Sequence, residues 1–326
     1  MLKVYYDDVD LLRIESSLEN LNVLEDVNDL TLIGTHKLDS VYEHGFKTKP
    51  LEVGASITYK GIDYPVIFRG MVKKDEFLNK YDATKERLGA YVENDETTFA
   101  VYSPVAASIS VLLDEKEYPM TKKENGVFHT TLDMNAHGLS YLYKVNIYGE
   151  EKTTTDPYAF ASGPNRSYST VVDLNKLNFD IAPLNQKDDP IILEASVRDF
   201  SMDPNIPFEN RGKFLGMLES HGDYGMKHVL DLGITHLQLM PVNDFETVDE
   251  LNPFDSYNWG YDTMQFMSLE GSYSTDVHQP IKAMEEFATL VDAYHKENIG
   301  INIDVVFNHI YEVEDHPFNV LVPYYY

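Results

Sequence analysis

The hydrophobic period of this chain changes near residue 190, and that change limits the folds open to it. Before it, one set of side chains recurs at every second position. Phe99 and Val101 lead to Pro104; Ile109, Val111 and Leu113 follow, then Phe128, Thr130 and Leu132, then Tyr141, Tyr143, Val145 and Ile147. Period two marks half-buried strands. Asn125-Gly126 and His137-Gly138 supply turns between them, so this stretch reads as a β-sandwich. After the change, short apolar runs alternate with helical stripes. Ile191-Ile192-Leu193 opens a strand, and Met226, Val229 and Leu230 make a helix stopped by Gly233. Ile234 to Met240 is a second strand, closed by Pro241, and a long loop covers 242–279. Pro280 starts a helix with Met284, Phe287, Ala288, Val291 and Tyr294 on one face, ended by Gly300. Ile301 to Phe307 is a third strand. The order β-α-β-α-β opens a parallel α/β fold. Three strands make a poor doubly wound sheet, and a closed (β/α)8 barrel takes about 250 residues.

Four segments follow. Residues 1–85 form a β-rich accessory domain, with strands at Leu30–Ile33, Ile57–Tyr59 and Pro65–Arg69 and turns at Gly34, Gly54 and Gly61. Residues 86–175 are the sandwich, 176–189 an Asn-, Asp- and Pro-rich linker, and 190–326 the α/β part. The 54 acidic and 26 basic residues give a net charge of −28. Such a surface repels phosphate backbones and anionic lipid, so neither nucleic acid nor membrane is expected as a partner; a neutral sugar is not penalised. There is no cysteine, hence no disulfide, thiol nucleophile or thiolate metal site. Three Asp within the first ten residues argue against a signal peptide, and no apolar run approaches the ~18 residues of a membrane span. A cytoplasmic location is expected.

Three clusters carry chemistry. In the third strand, apolar side chains hold the odd positions, while Asn302, Asp304 and Asn308 hold the even ones. One face then packs under helices and the polar face aims inward. Asp304, Asn308 and His309 sit near the carboxyl end, where parallel barrels build their sites. An Asp that caps a loop explains the same pattern. Second, Tyr257-Asn258-Trp259-Gly260-Tyr261-Asp262 interleaves three aromatics, including the single Trp, with Asn and Asp. Flat rings stack on sugars and the amides and carboxylates bind hydroxyls; a locally packed Ω-loop is the alternative. Third, Arg198-Asp199 closes the first strand segment and reads first as an ion pair ordering a loop. No GxxxxGK[ST] or HExxH occurs, so neither a phosphate loop nor a zinc site is expected. Asn308-His309 with nearby carboxylates offers oxygen donors of the kind calcium takes, but no metal and no cofactor is expected.

At this point the residues resemble a known family. Tyr257 to Asp262 is similar to the YNWGYDP signature of type I pullulanases, debranching enzymes of glycoside hydrolase family 13 in the α-amylase superfamily. Glu270-Gly271-Ser272-Tyr273-Ser274 resembles their PEGSYS, and Asp304 to His309 their DVVFNH segment. Pro241 to Phe245 and Val197 to Phe200 also look like pullulanase segments, and Leu88 to Ala106 resembles the starch-binding sandwich that precedes such barrels. The resemblance covers about 86–326, with 1–85 matching more loosely as a variable N-terminal domain. It implies that 190–326 is the first three βα units of a (β/α)8 TIM barrel, so that the chain is the N-terminal portion of the enzyme.

The resemblance further implies hydrolysis of α-1,6 branch linkages in pullulan, glycogen and limit dextrins with retention. Tyr261 then stacks on the sugar beside the cleaved bond and His309 hydrogen-bonds it. Trp259 and Asn258 shape the branch-selecting loop, and Asp304, Asn308, Asp262, Arg198 and Asp199 support the site. Thr263 and Leu269 stand where the family often has Pro, and Leu193 and Ser196 where it has Tyr and His. Retaining glycosidases use two carboxylates, and the resemblance puts both on later strands. The 326 residues alone are therefore expected to be inactive, with an α-glucan and the rest of the barrel as partners. A non-catalytic α-glucan-binding protein or remnant, and a related glycogen debranching or branching enzyme, are the competing readings.

Overall fold

The computed structural model describes residues 2–21, 30–177, 179–185 and 189–326. Residues 178 and 186–188 of the expected linker lie outside the described residues. The first six strands are β1 (Lys3–Asp8), β2 (Leu11–Ser16), β3 (Thr31–Leu38), β4 (Val41–Lys47), β5 (Ser56–Tyr59) and β6 (Ile62–Phe68). They form one sheet in the order β3-β4-β2-β1-β6-β5, with β1 and β6 parallel and the other pairs antiparallel. Gly34 sits inside β3 at a break in register, rather than in the turn its sequence context suggests. A short helix, α1 (Asp75–Lys80), lays Phe77 on Phe68.

The sandwich has two layers. β7 (Gly89–Glu93), β8 (Glu96–Tyr102), β11 (Thr121–Lys122) and β12 (Val127–Leu132) make one sheet. β9 (Ser108–Leu113), β10 (Lys116–Pro119), β13 (Ser140–Ile147), β14 (Glu150–Thr154) and β15 (Ser169–Thr170) make the other. The alternating residues Phe99, Val101, Ile109, Val111, Tyr141, Tyr143 and Val145 all point between the layers and are buried. Their core is continuous with Leu12, Ile14, Ile57 and Phe68 of the first sheet. Tyr141 and Tyr143 bury their hydroxyls by donating both to Asp156, at 2.8 and 3.0 Å. Burial pushes the Asp156 carboxyl up to about 6 despite these donors.

From 190 the chain builds a three-stranded parallel sheet, β16 (Ile192–Ala195), β19 (His236–Leu239) and β22 (Gly300–Ile303). Between β16 and β19 lie a small hairpin, β17 (Ser220–His221) and β18 (Tyr224–Gly225), and α2 (Met226–Asp231). Leu237 and Leu239 are fully buried against α3 (Pro280–Lys296), which presents Leu290 and Tyr294. Each such leucine contributes on the order of 1.5–3 kcal/mol. The most deeply buried residues of α3 are Ala283, Glu286, Leu290 and Tyr294; of the face read from the sequence Tyr294 is fully buried, and Met284, Phe287, Ala288 and Val291 are half-buried, with Phe287 packed against the core. Glu286 turns inward because its carboxylate accepts the backbone N–H of Thr275 at 2.9 Å, which pins the preceding loop.

Two further differences bear on function. The expected loop 242–279 contains an antiparallel pair, β20 (Asn243–Phe245) and β21 (Thr263–Leu269). The third strand ends at Ile303, not Phe307, since its last bond to β19 is from the Asp304 N–H to the Leu239 carbonyl. Beyond that rung the backbone leaves the sheet, so Val305 and Phe307 are exposed and Val306 is buried instead, while Ile303, still paired with Leu239, is exposed at the end of the strand. The last helix, α4 (Pro317–Leu321), returns to the sandwich and places Leu321 in its core.

Candidate functional site

The three parallel strands are in register, so one layer of their open face carries Glu194, Gln238 and Asn302 side by side. Gln238 donates to Glu194 at 3.0 Å. One step on, at the carboxyl ends, stand Asp304 and the segments after Ala195 and Leu239. This polar row opposite the Leu237–Leu239 face is the division that the alternation of the third strand predicts, up to Ile303.

The loop 257–262 folds over these ends. Gly260 lets it do so: it has φ +89°, and a Cβ there would stand 2.8 Å from the Pro241 carbonyl. The Tyr261 hydroxyl donates to Asp304 Oδ2 at 2.8 Å, and that carboxylate pushes the phenol up to about 12. His309 Nε2 lies 2.8 Å from the Tyr261 carbonyl. Tyr261, Asp304 and His309 are thus joined in one hydrogen-bonded group, with Asn308 exposed beside them. Asn258 closes the loop on itself. Its Nδ2 donates to Asp262 at 2.5 Å and its Oδ1 accepts the Gly260 N–H at 2.8 Å. Asp262 in turn accepts the Thr247 hydroxyl at 2.9 Å.

Trp259 and Tyr257 stand outward, with 58% and 53% of their surface exposed. A relay holds them: the Trp259 indole N–H donates to the Tyr257 hydroxyl at 2.8 Å, which donates to Asp199 at 2.6 Å. Accepting that proton, Asp199 pushes the Tyr257 phenol up. Arg198 does not pair with Asp199 as expected; its guanidinium lies 4.9 Å from the centre of the Tyr257 ring. The reason is local geometry: both residues lie in a tight turn after β16, and Tyr257 takes a face of each. Two exposed rings and a half-buried tyrosine beside carboxylates and amides suit a neutral, hydroxyl-rich ligand.

Sequence reasoning missed three features. Tyr257 belongs to the motif, but its relay to Asp199 bridges 58 residues of sequence. Glu194 and Gln238 are visible as polar interruptions of apolar strands. The third is a fully buried acidic group behind the loop, Asp244, Glu250 and Glu270, with Arg166 from the segment between β14 and β15 of the sandwich.

Comparison with known proteins agrees with the residues. The family model for carbohydrate-binding module 48, the isoamylase N-terminal domain, matches residues 87–159. The pullulanase of Bacillus subtilis strain 168 is 35% identical over 295 residues, 86% of this chain and 39% of that protein. Pullulanase A of Streptococcus pneumoniae is 30% identical over 91% of this chain and 28% of its own length. The crystal structure of an Anoxybacillus pullulanase complexed with maltotriose superposes over the whole chain with a TM-score of 0.88 at 29% identity, covering 51% of that protein. The B. subtilis type I pullulanase complexed with maltose gives 0.86 over 99% of this chain and 49% of its own. The chain therefore spans between about a quarter and a half of the length of these relatives.

Proposed function

We propose that this chain, a homologue of the pullulanases along most of its length, supplies the glucan-gripping side of an α-1,6-debranching glycosidase. The observation that carries the reading is the Tyr261–Asp304–His309 group at the carboxyl ends of three parallel strands, roofed by a loop with Trp259 exposed. The relatives' bound maltotriose and maltose support an α-glucan as the ligand. In this reading β16, β19 and β22 are the first three strands of a (β/α)8 barrel. The Tyr261 ring stacks on the sugar next to the scissile bond. Asp304 fixes that ring through its hydroxyl, and His309, tied to the Tyr261 carbonyl, turns its other ring nitrogen to a sugar hydroxyl. Trp259, held by Tyr257 and Asp199, flanks the branch, while Asn258 and Asp262 keep the loop shut. Arg198 and Asn308 complete the rim.

Cleavage with retention needs a nucleophile and an acid/base carboxylate about 5 Å apart. Asp304 is committed to Tyr261 and serves neither role. In the resemblance both groups come from later strands, so the 326 residues bind without cleaving. Incubation of the purified chain with pullulan, followed by reducing-end assay, tests this: no release is expected, and sustained release that scales with enzyme concentration overturns it.

A further inference from the structure

Leu251, Phe254, Tyr257 and Trp259 all stand in water on the site loop and the turn leading into it. Apolar residues exposed singly are common, but a run of them on one edge of a site marks a binding surface. Tyr257 and Trp259 belong to the relay that ends on Asp199. Phe254 has no place in that relay, and 52% of its surface is exposed.

The Phe254 ring is nevertheless held. It rests on Gly212, whose φ is +67° and where a Cβ would stand 3.3 Å from the ring and 3.5 Å from the Arg198 stem. Lys213 Nζ lies 5.9 Å from the centre of the ring. The turn that carries Phe254 is pinned on both sides. The Asp249 carboxylate accepts the Leu251 N–H at 3.1 Å, the Asn252 amide at 2.8 Å and the Asn165 amide at 2.9 Å. On the far side Ser256 donates to the Thr247 carbonyl at 3.2 Å. A ring fixed in this way loses little freedom when a ligand settles on it.

The ring also continues the site. Arg198 is the link: its stem lies beside Phe254 over Gly212, and its guanidinium lies 4.9 Å from the centre of the Tyr257 ring. Tyr257 in turn accepts the Trp259 indole N–H. Phe254, Tyr257 and Trp259 therefore form one strip along the loop. The exposed carboxylates Asp199, Asp249 and Asp255 stand among these residues. The core of a protein–protein interface is depleted in such charges. A sugar uses both kinds of group, rings for its apolar faces and carboxylates for its hydroxyls.

We propose that Phe254 is the platform of an outer sugar subsite, so that the loop grips an α-glucan chain longer than the stretch held at Tyr261 and Trp259. The proposal rests on the α-glucan reading of the loop and adds to it a preference for chain length.

The test titrates the full 326-residue chain with maltotriose and with maltoheptaose. Trp259 is the single tryptophan, so its emission reports occupancy of this loop and not of the sandwich. The wild type is expected to hold maltoheptaose the more tightly. Phe254→Ala should weaken maltoheptaose roughly tenfold and leave maltotriose unchanged. Phe254→Tyr, which keeps a flat ring, should restore the difference. A Phe254→Ala variant that binds both sugars as the wild type does, or loses both equally, overturns the outer subsite and leaves the reading of Tyr261 and Trp259 standing. A wild type whose emission responds to neither sugar overturns both. Should Phe254→Ala fail to fold, the wild type decides: equal affinity for the two sugars overturns the proposal, and tighter binding of the longer one supports it.

Discussion

Replacing Arg166 with Met separates charge from packing in the buried acidic group. The methionine keeps an apolar stem of similar length and removes the guanidinium. That guanidinium has 13% of its side chain exposed and Asp244 only 1%, so the pair is held largely out of water. Breaking a buried pair by deleting one partner costs roughly 3–5 kcal/mol. Partial exposure of Arg166 argues for the lower end, about 3 kcal/mol. The cost should depend on pH with a definite sign. Without the cation the Asp244 carboxyl rises above its already elevated position near 7, so the folded variant takes up a proton as the pH falls. The charge penalty then disappears and only lost hydrogen bonds remain, about 1–1.5 kcal/mol. Urea unfolding of both proteins, followed by circular dichroism in EDTA, gives the two differences at about pH 8 and about pH 5.5. A cost under about 1 kcal/mol at the higher pH, or a cost that grows on acidification, would refute the electrostatic account.

Other predictions concern single contacts. Gly260→Ala forces a Cβ into the Pro241 carbonyl at φ +89° and should cost about 1–3 kcal/mol of local strain, read as lost Trp259 fluorescence anisotropy and weaker glucan binding. Asp304→Asn should bring the Tyr261 phenol down from about 12 toward its ordinary 10, measured by NMR titration of ring-labelled tyrosine against a Tyr261→Phe spectrum; an unmoved titration contradicts the contact. In the sandwich, the Asp156 carboxyl titrates at about 6 when folded and 3.8 as the ordinary value, so the folded state holds the extra proton between those pH values. Its contribution is present below about pH 4 and is lost as the pH rises through 6, an amplitude of about 3 kcal/mol at 1.36 kcal/mol per unit. Asp156→Asn should remove that slope from the pH–stability curve, whatever constant offset it adds.

What could be read from the chain follows from how local each signal is. The sandwich strands announce themselves because Tyr141, Tyr143, Val145 and Ile147 bury every second residue over eight positions. The parallel sheet is equally plain at Leu237 and Leu239, where both period and flanking helices agree. The hairpin of β20 and β21 was not, because three residues with two register breaks carry no period. The third strand misleads by continuing its alternation past Ile303: Val305 and Phe307 keep the pattern after the backbone has left its partner. The face of α3 was legible at Phe287 and Tyr294, but the burial of Glu286 was not, since it rests on a long-range contact with Thr275. At the site, motif residues 258 to 262 and Asp304 were legible as a group. The bridge from Tyr257 to Asp199 and the clamp from Arg166 to Asp244 were not, since each joins segments more than fifty residues apart through side chains with no spacing rule.

The central claim is that the Tyr261–Asp304–His309 group and the exposed Trp259 form an α-glucan site. Affinity electrophoresis of the 326-residue chain through a gel containing amylopectin measures it directly. The account predicts retarded migration of the wild type, with Tyr261→Ala and Trp259→Ala each weakening binding roughly tenfold, about 1.4 kcal/mol. Wild-type mobility unchanged by amylopectin, or retardation that survives in both variants, would contradict it.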